Sequence, residues 1–385
     1  MDPLDEPSDP PSPAPAPAPS LRGRGAAHNP HNRFERLRYE EDPEFAEFQR
    51  HAARADALAP DAADPEPRGP ATRFYVDPSR SLLSTNQSPD IGFDASINPY
   101  RGCEHGCIYC YARPSHEYLG FSAGLDFESR ILVKRDAPKL LRESLMSRRW
   151  KPQVVAIGAV TDGYQPIERK LGLTRRCLEV FAEFRNPVSV ITKSALVTRD
   201  IDIFQELCRF DAALVNVSIT TLSRDTHRAM EPRAASPERR LGAIRSLAAA
   251  GIPVHVMVAP IVPCINDHEI PDIVEAVAEA GARSASHTML RLPYGVKDLF
   301  ENWLERHYPD RKEKVLNRVR SMRDGRLNDP HFHTRMRANG IFAQQTHELF
   351  ELACRRAGIA EGLTELSTAA FRRPGGPQLS LFGEE

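Results

Sequence analysis

Cys103, Cys107 and Cys110 stand within eight residues, in the run Cys103-Glu-His-Gly-Cys107-Ile-Tyr-Cys110. Thiolates are ligands for iron–sulfur clusters, and a loop with the spacing C-x3-C-x2-C is short enough to wrap three of them around one cubane. With three protein ligands, one iron of a [4Fe–4S] cluster stays open to a ligand from outside the protein. Zinc is the competing reading, since it takes four ligands and His105 or His116 could complete the set. Structural cysteines would not gather on a polar, glycine-containing loop. The loop alone leaves iron–sulfur and zinc both open.

Such a loop must be held by the elements around it. Short β-branched runs alternate with helical patterns from about Ile91 onward, the pattern of βα units around a parallel sheet. Strands are predicted over 154–160, 188–193, 214–220, 254–262 and 285–292, with a further short one ending near Asn98, just before the cysteines. Helices are predicted over 136–147, 174–184, 200–209, 237–250 and 268–280, two of them stopped by Gly251 and Gly281. Six strands are too few for a closed eight-stranded barrel. The fold class expected is α/β, a partial TIM-like (β/α)6 barrel. Residues 295–357 read as helices, with Val315, Val319 and Met322 on one face of the segment 311–323.

The surroundings of the cysteines narrow the choice of metal. Asn98-Pro99-Tyr100-Arg101-Gly102 before the loop, Tyr109 beside Cys110, and the βα pattern after it resemble the radical S-adenosylmethionine (SAM) superfamily. The likeness is to the branch that contains spore photoproduct lyase. Further matching segments are Thr161-Asp162-Gly163-Tyr164-Gln165-Pro166, Ile191-Thr192-Lys193-Ser194 and Ala259-Pro260-Ile261-Val262-Pro263-Cys264. The resemblance runs from about Asn98 to Leu292 and implies a [4Fe–4S] cluster on Cys103, Cys107 and Cys110, with SAM on the open iron. It also implies reductive cleavage of SAM to a 5′-deoxyadenosyl radical, in a lyase-like reaction linked to DNA repair.

By the same resemblance Tyr109 lies near the adenine, and Thr161 and Asp162 approach the methionyl amino group. Lys193 meets the carboxylate, and Ser218 or Thr220 the ribose. All of these fall at the C-terminal ends of predicted strands, where ligands bind in α/β sheets. Spore photoproduct lyase quenches its product radical with a cysteine on the strand after the cluster loop. The corresponding stretch here, 153–161, has none. Cys264, Tyr164 and Tyr111 are the candidates for a hydrogen-atom relay.

Outside this core, residues 1–70 hold 14 of the 33 prolines and few large apolar side chains, so a disordered Pro-rich N-terminal arm is expected. Within it, the segment from Asn32 to Leu37 is a candidate for docking onto the body. The domains expected are this arm, a radical SAM core over 91–293, a helical C-terminal extension over 294–372, and a linker with tail over 373–385.

A formal net charge of −1 excludes a chain basic throughout, so any nucleic acid must meet a local patch. One candidate runs from Arg311 to Arg337, with nine Lys or Arg against three acids, Lys314 and Arg318 four apart, and Phe332 as a stacking ring. In the tail, Gln378-Leu379-Ser380-Leu381-Phe382 resembles the peptide by which bacterial polymerases and repair proteins dock on the DNA sliding clamp. Seven cysteines without a disulfide pattern, no secretory signal and no apolar run of membrane-spanning length lead to the expectation of a cytoplasmic protein that meets no membrane. The function expected is a radical SAM enzyme acting on DNA or another nucleic acid. The alternatives are a peptide or small-molecule substrate, or a non-catalytic zinc-binding adaptor of the clamp.

Overall fold

The computed structural model describes residues 21–34, 69–336, 338–362 and 364–375. Eleven strands are named here in chain order. They are β1 (Arg73–Val76), β2 (Leu83–Thr85), β3 (Ala95–Ile97), β4 (Tyr100–Arg101), β5 (Arg130–Val133), β6 (Val155–Ile157), β7 (Val188–Thr192), β8 (Ala213–Ser218), β9 (Val254–Ile261), β10 (Ser284–Met289) and β11 (Ala360–Glu361). The main sheet runs β11-β10-β9-β8-β7-β6-β3-β2. Every pairing in it is parallel except β2 with β3.

β3 and β6–β10 are the six strands expected from the sequence, so the (β/α)6 reading holds. Their β-branched runs are covered on both sides: Val155, Ile157, Val188, Val190, Val215, Val254 and Val256 have no measurable exposure. The crossover helices Leu173–Phe184, Ile201–Cys208, Pro237–Ala249 and Ile270–Glu279 supply the outer layer. Gly158, just past β6, has φ +87°, and a Cβ there would meet the Ile191 carbonyl oxygen at 2.3 Å. Only glycine lets the two strands close at that point.

Two features were not expected. A second sheet, β1-β5-β4, flanks the first, and β11 adds a strand just past the helices read over 295–357. The arm also needs correction at residues 21–34, which lie against the body. Asn32 Nδ2 donates to the carbonyls of Glu117 and Phe121, both at 3.1 Å, and Arg33 pairs with Glu117 at 2.6 Å. The remainder of the arm and the clamp-like tail lie outside the described residues.

β2 and β11 sit at opposite ends of the sheet, so the barrel does not close. The segment after Ser321 reaches across the gap: Arg335 pairs with Asp90 at 2.6 Å and donates to Ser88 Oγ at 2.6 Å. The helices Val296–His307, Lys312–Ser321 and Gly340–Ala357 form the extension, anchored by Trp303, Val315, Val319 and Met322, all buried. Among the described residues no helix is long and apolar enough to cross a membrane.

Between the strands runs a polar ladder. Asn216 donates to Ser189 Oγ at 2.8 Å, and the His255 ring nitrogens lie 2.8 Å from Ser284 Oγ and from Ser286 Oγ. Burial lowers the His255 pKa from 6.5 to about 4. Between those values the unfolded chain holds a proton that the folded one lacks. Stability therefore falls as pH drops through 6.5 toward 4, by about 1.4 kcal/mol per unit. His255→Asn should flatten the acid limb of denaturant unfolding by that slope, and an unchanged limb would remove His255 as a source.

Candidate functional site

The cysteine loop follows β4 and lies at the C-terminal end of the parallel strands. Its backbone is pinned independently of any metal. Cys103 N donates to the Phe127 carbonyl at 2.8 Å, and Ile108 N to that of Met230 at 3.0 Å. Arg113, fully buried, reaches under the loop and donates to the carbonyls of Cys107 (2.9 Å), Gly106 (3.1 Å), Ala123 (3.1 Å) and Gly124 (3.0 Å). Its charge is met by Glu128 at 2.6 Å, also fully buried.

Cys103 and Cys107 are buried and Cys110 is half-buried. Burial first, then Asp162 and the two other thiols, pushes Cys103 well above its ordinary range. Cys107 is pushed up to about 12 by burial and Glu231, against the pull of Lys193. The three thiols thus sit within each other's field, and a metal centre bound here displaces their protons.

Neither histidine that could complete a zinc site joins the thiols. His105 Nδ1 lies 3.3 Å from Asp162 Oδ2, and the His116 ring, its nitrogens without a hydrogen-bond partner, packs on Phe121 at 5.2 Å and meets Phe127 edge-on at 5.6 Å. Among the described residues no three Cys, His, Asp or Glu side chains gather as a single ion requires. A cubane spreads three thiolates over three irons and makes no such demand. The donor set fits a [4Fe–4S] cluster with one iron left to an outside ligand.

The predicted cofactor contacts divide into two groups. Lys193, just past β7, is half-buried, with its ammonium 5.8 Å from the Tyr109 ring centroid. Among the described residues no carboxylate pairs with it, although it acts on both Cys107 and Glu231. Ser218 ends β8, and its carbonyl accepts from Arg240 at 2.9 Å. The remaining contacts already serve the scaffold. Thr161 Oγ1 donates to the Tyr100 carbonyl at 2.6 Å. Asp162 accepts from the amides of Tyr164 (2.8 Å) and Lys193 (2.7 Å) and from Thr192 Oγ1 (2.9 Å). Burial would raise the Asp162 carboxyl, but His105 and these amides outweigh it and hold it low. Tyr109 donates its hydroxyl to Glu231, as does Thr220 at 2.6 Å.

Glu231 is a hub that the sequence reading missed. It is fully buried and pairs with buried Arg240, which joins the cluster loop to β8. Burial pushes its pKa up, Arg240 and then Lys193 pull it down, and the result is about 2. Glu104, Gln165 and Arg233 were missed as well: Glu104 N donates to Gln165 Oε1 at 3.0 Å, and Arg233 pairs with Glu104 at 3.1 Å. Nothing in the pattern of a single sequence separates such buried charges from surface ones.

Two of the three relay candidates have surroundings of their own. The buried Tyr164 hydroxyl donates to Asp200 at 2.9 Å. Cys264 lines a cleft with Asp267, His268, Arg311, Lys314, Arg318 and Phe342, a group without any cluster-loop residue. Tyr111 remains: its ring is exposed, its hydroxyl donates to the Ala159 carbonyl, and Arg291 stands 6.0 Å from the ring centroid.

Residues 97–277 match the model of the Radical SAM superfamily. The matched stretch is a radical SAM domain. An uncharacterized protein of Mycobacterium tuberculosis is 35% identical over 220 residues, covering 57% of this chain and 65% of that protein. The chain therefore spans just under two thirds of that relative's length. An uncharacterized protein of Methanocaldococcus jannaschii is 28% identical over 223 residues, 58% of this chain and 80% of the other. Among solved structures, spore photoproduct lyase with bound AdoMet and dinucleoside spore photoproduct superposes with a TM-score of 0.55 at 17% identity. That match covers 75% of this chain and 80% of the lyase, and shows a shared fold. The family's cofactors are a [4Fe–4S] cluster and SAM, and the donor set of the three-thiol loop fits the cluster.

Proposed function

We propose that this chain is a radical SAM enzyme whose substrate is a nucleic acid. The observation that carries the reading is three neighbouring free thiols on one loop at the C-terminal end of a parallel sheet, with the Lys193 ammonium, with which no carboxylate among the described residues pairs, acting on one of them. Cys103, Cys107 and Cys110 would hold the cluster, and Lys193 would hold the SAM carboxylate by a charge-assisted contact. When bound and reduced, the cluster supplies the electron that splits the SAM sulfonium and yields a 5′-deoxyadenosyl radical. The chain's own part is positional. Arg113 fixes the loop, Glu231 fixes Tyr109, and Asp162 ties the end of β6 to the end of β7 through Lys193 N.

The nucleic-acid part rests on two supports. Arg311, Lys314, Arg318 and His268 face one cleft, with Arg318 4.4 Å over the Phe342 ring. The fold is also shared with a lyase seen bound to a dinucleoside photoproduct. Such a cleft binds phosphates without reading sequence. The segment Gln378–Phe382 would tether the enzyme to a sliding clamp, a separate proposal that a peptide-binding measurement tests.

The deciding experiment is anaerobic reconstitution followed by reduction with deuterated SAM and oligonucleotides. Transfer of label to DNA or RNA supports the reading, while label found only on peptides or small molecules overturns its substrate half. Absence of 5′-deoxyadenosine overturns the whole. In the same assay Lys193→Ala should keep its iron but lose about 1.5–3 kcal/mol of SAM binding, roughly ten- to a hundredfold in dissociation constant. Unchanged SAM affinity would remove Lys193 from the site.

A further inference from the structure

Arg291 stands two residues beyond β10, at the open edge of the barrel, and Arg323 follows the helix Lys312–Ser321. Arg323 is buried at 3% exposure and spends two donors on backbone, on the carbonyls of Leu290 (2.8 Å) and Arg335 (3.1 Å). The Nε of each arginine is buried without a hydrogen-bond partner. Arg291 otherwise meets Met336 Sδ, a weak acceptor, and the face of Tyr111. Among the described residues no carboxylate forms an ion pair with either guanidinium.

The two acids whose charge reaches Arg291 are already in use. Asp90 is held by Arg335 at 2.6 Å and by His333 N at 2.6 Å, and Asp329 by His331 at 2.9 Å. Burial and then the neighbouring Arg335 lower the Arg291 pKa, while burial and then Arg291 lower Arg323 to about 10. A buried cation beside a half-buried one, each with a buried spare donor, is costly unless an anion joins them. Arg291 sits beside Tyr111, the residue that follows Cys110, and Arg323 lies within its field, on the side where the sheet is open.

We propose that Arg291 and Arg323 form a phosphate-binding subsite that holds the substrate's backbone next to the cluster loop. The guanidinium fork matches phosphate geometry, which suits it to this task better than lysine. The phosphate is placed here as part of a nucleic acid, so this inference rests on the reading of the substrate given above. It adds where the strand enters: on the open side of the sheet, over Tyr111.

The test uses full-length, anaerobically reconstituted protein and calorimetry with three probes. These are a dinucleotide with one bridging phosphate, the same dinucleotide bridged by a neutral methylphosphonate, and inorganic phosphate. Wild type should prefer the charged dinucleotide by roughly tenfold or more. Arg291→Gln should erase that preference, and Arg291→Lys should keep part of it. Equal binding of charged and neutral dinucleotides overturns the subsite and leaves the nucleic-acid reading standing. Arg291-dependent binding of inorganic phosphate, with neither dinucleotide bound, keeps the subsite and overturns the nucleic-acid reading. A preference that survives in Arg291→Gln overturns the assignment. So does a fall in SAM affinity in that variant, which would give the arginines to the cofactor's carboxylate.

Discussion

Cys107→Ala should yield a folded, colourless protein that takes up no [4Fe–4S] cluster and releases no 5′-deoxyadenosine from SAM. The loop around it does not depend on the thiol for its shape. The Cys107 carbonyl is held by Arg113 at 2.9 Å, and the next amide, Ile108 N, by the Met230 carbonyl at 3.0 Å. Removing the sulfur therefore leaves a preformed loop with two thiols, too few to retain a cubane. Losing an outer partner of a metal ligand costs roughly 10–100-fold in affinity or activity, and losing a ligand itself should exceed that. Iron per chain and 5′-deoxyadenosine after reduction are the measurements, with Cys208→Ala as the control outside the loop. Iron and cleavage retained in Cys107→Ala would show that the ligands lie elsewhere.

What the sequence revealed and what it hid follow from how each feature is encoded. The six parallel strands are written as continuous β-branched runs because both their faces are buried, and their helices repeat apolar residues at helical spacing. The second sheet carries a weaker signal, confined to the Ile131-Leu132-Val133 run of β5. β4 has two residues, and all four of β1 are exposed. The cysteine loop was legible because the spacing of its thiols is itself the chemical signal. The polar residues at the strand ends were only half legible. Thr161, Asp162 and Thr220 were read as cofactor contacts, yet their side chains brace strand ends and the cluster loop. A hydroxyl or carboxylate at a strand end suits either task, and spacing cannot separate them. Least legible were the buried ion pairs, Arg113 with Glu128 and Arg240 with Glu231, because a charged residue in one sequence looks like surface.

The first of those pairs carries the other large expected effect, because Glu128 fastens three segments at one point. Its Oε1 accepts from Arg113 at 2.6 Å and from Ala26 N at 2.9 Å, and its Oε2 accepts from Gly25 N at 3.0 Å. The N-terminal segment 21–34 is thereby drawn against the cluster loop, close enough that a Cβ on Gly25 would meet the Gly106 carbonyl oxygen at 1.9 Å. Glu128→Ala leaves the Arg113 guanidinium charged in a fully buried place and strips both amides of their acceptor. Breaking a buried pair from one side costs about 3–5 kcal/mol, so the variant should unfold at markedly lower denaturant and lose its cluster faster in air. Arg113→Met with Glu128→Leu together removes both charges. That double variant should be less destabilised than the sum of the two single changes, since the charges couple directly. Gly25→Val separates the roles: it blocks the docking of 21–34 while leaving the pair intact. It should speed cleavage of that segment by protease, and bleaching of the cluster in air, with little change in the global transition. If Glu128→Ala unfolds like the wild type and holds its iron as long, the arginine and the arm are not what secures the loop.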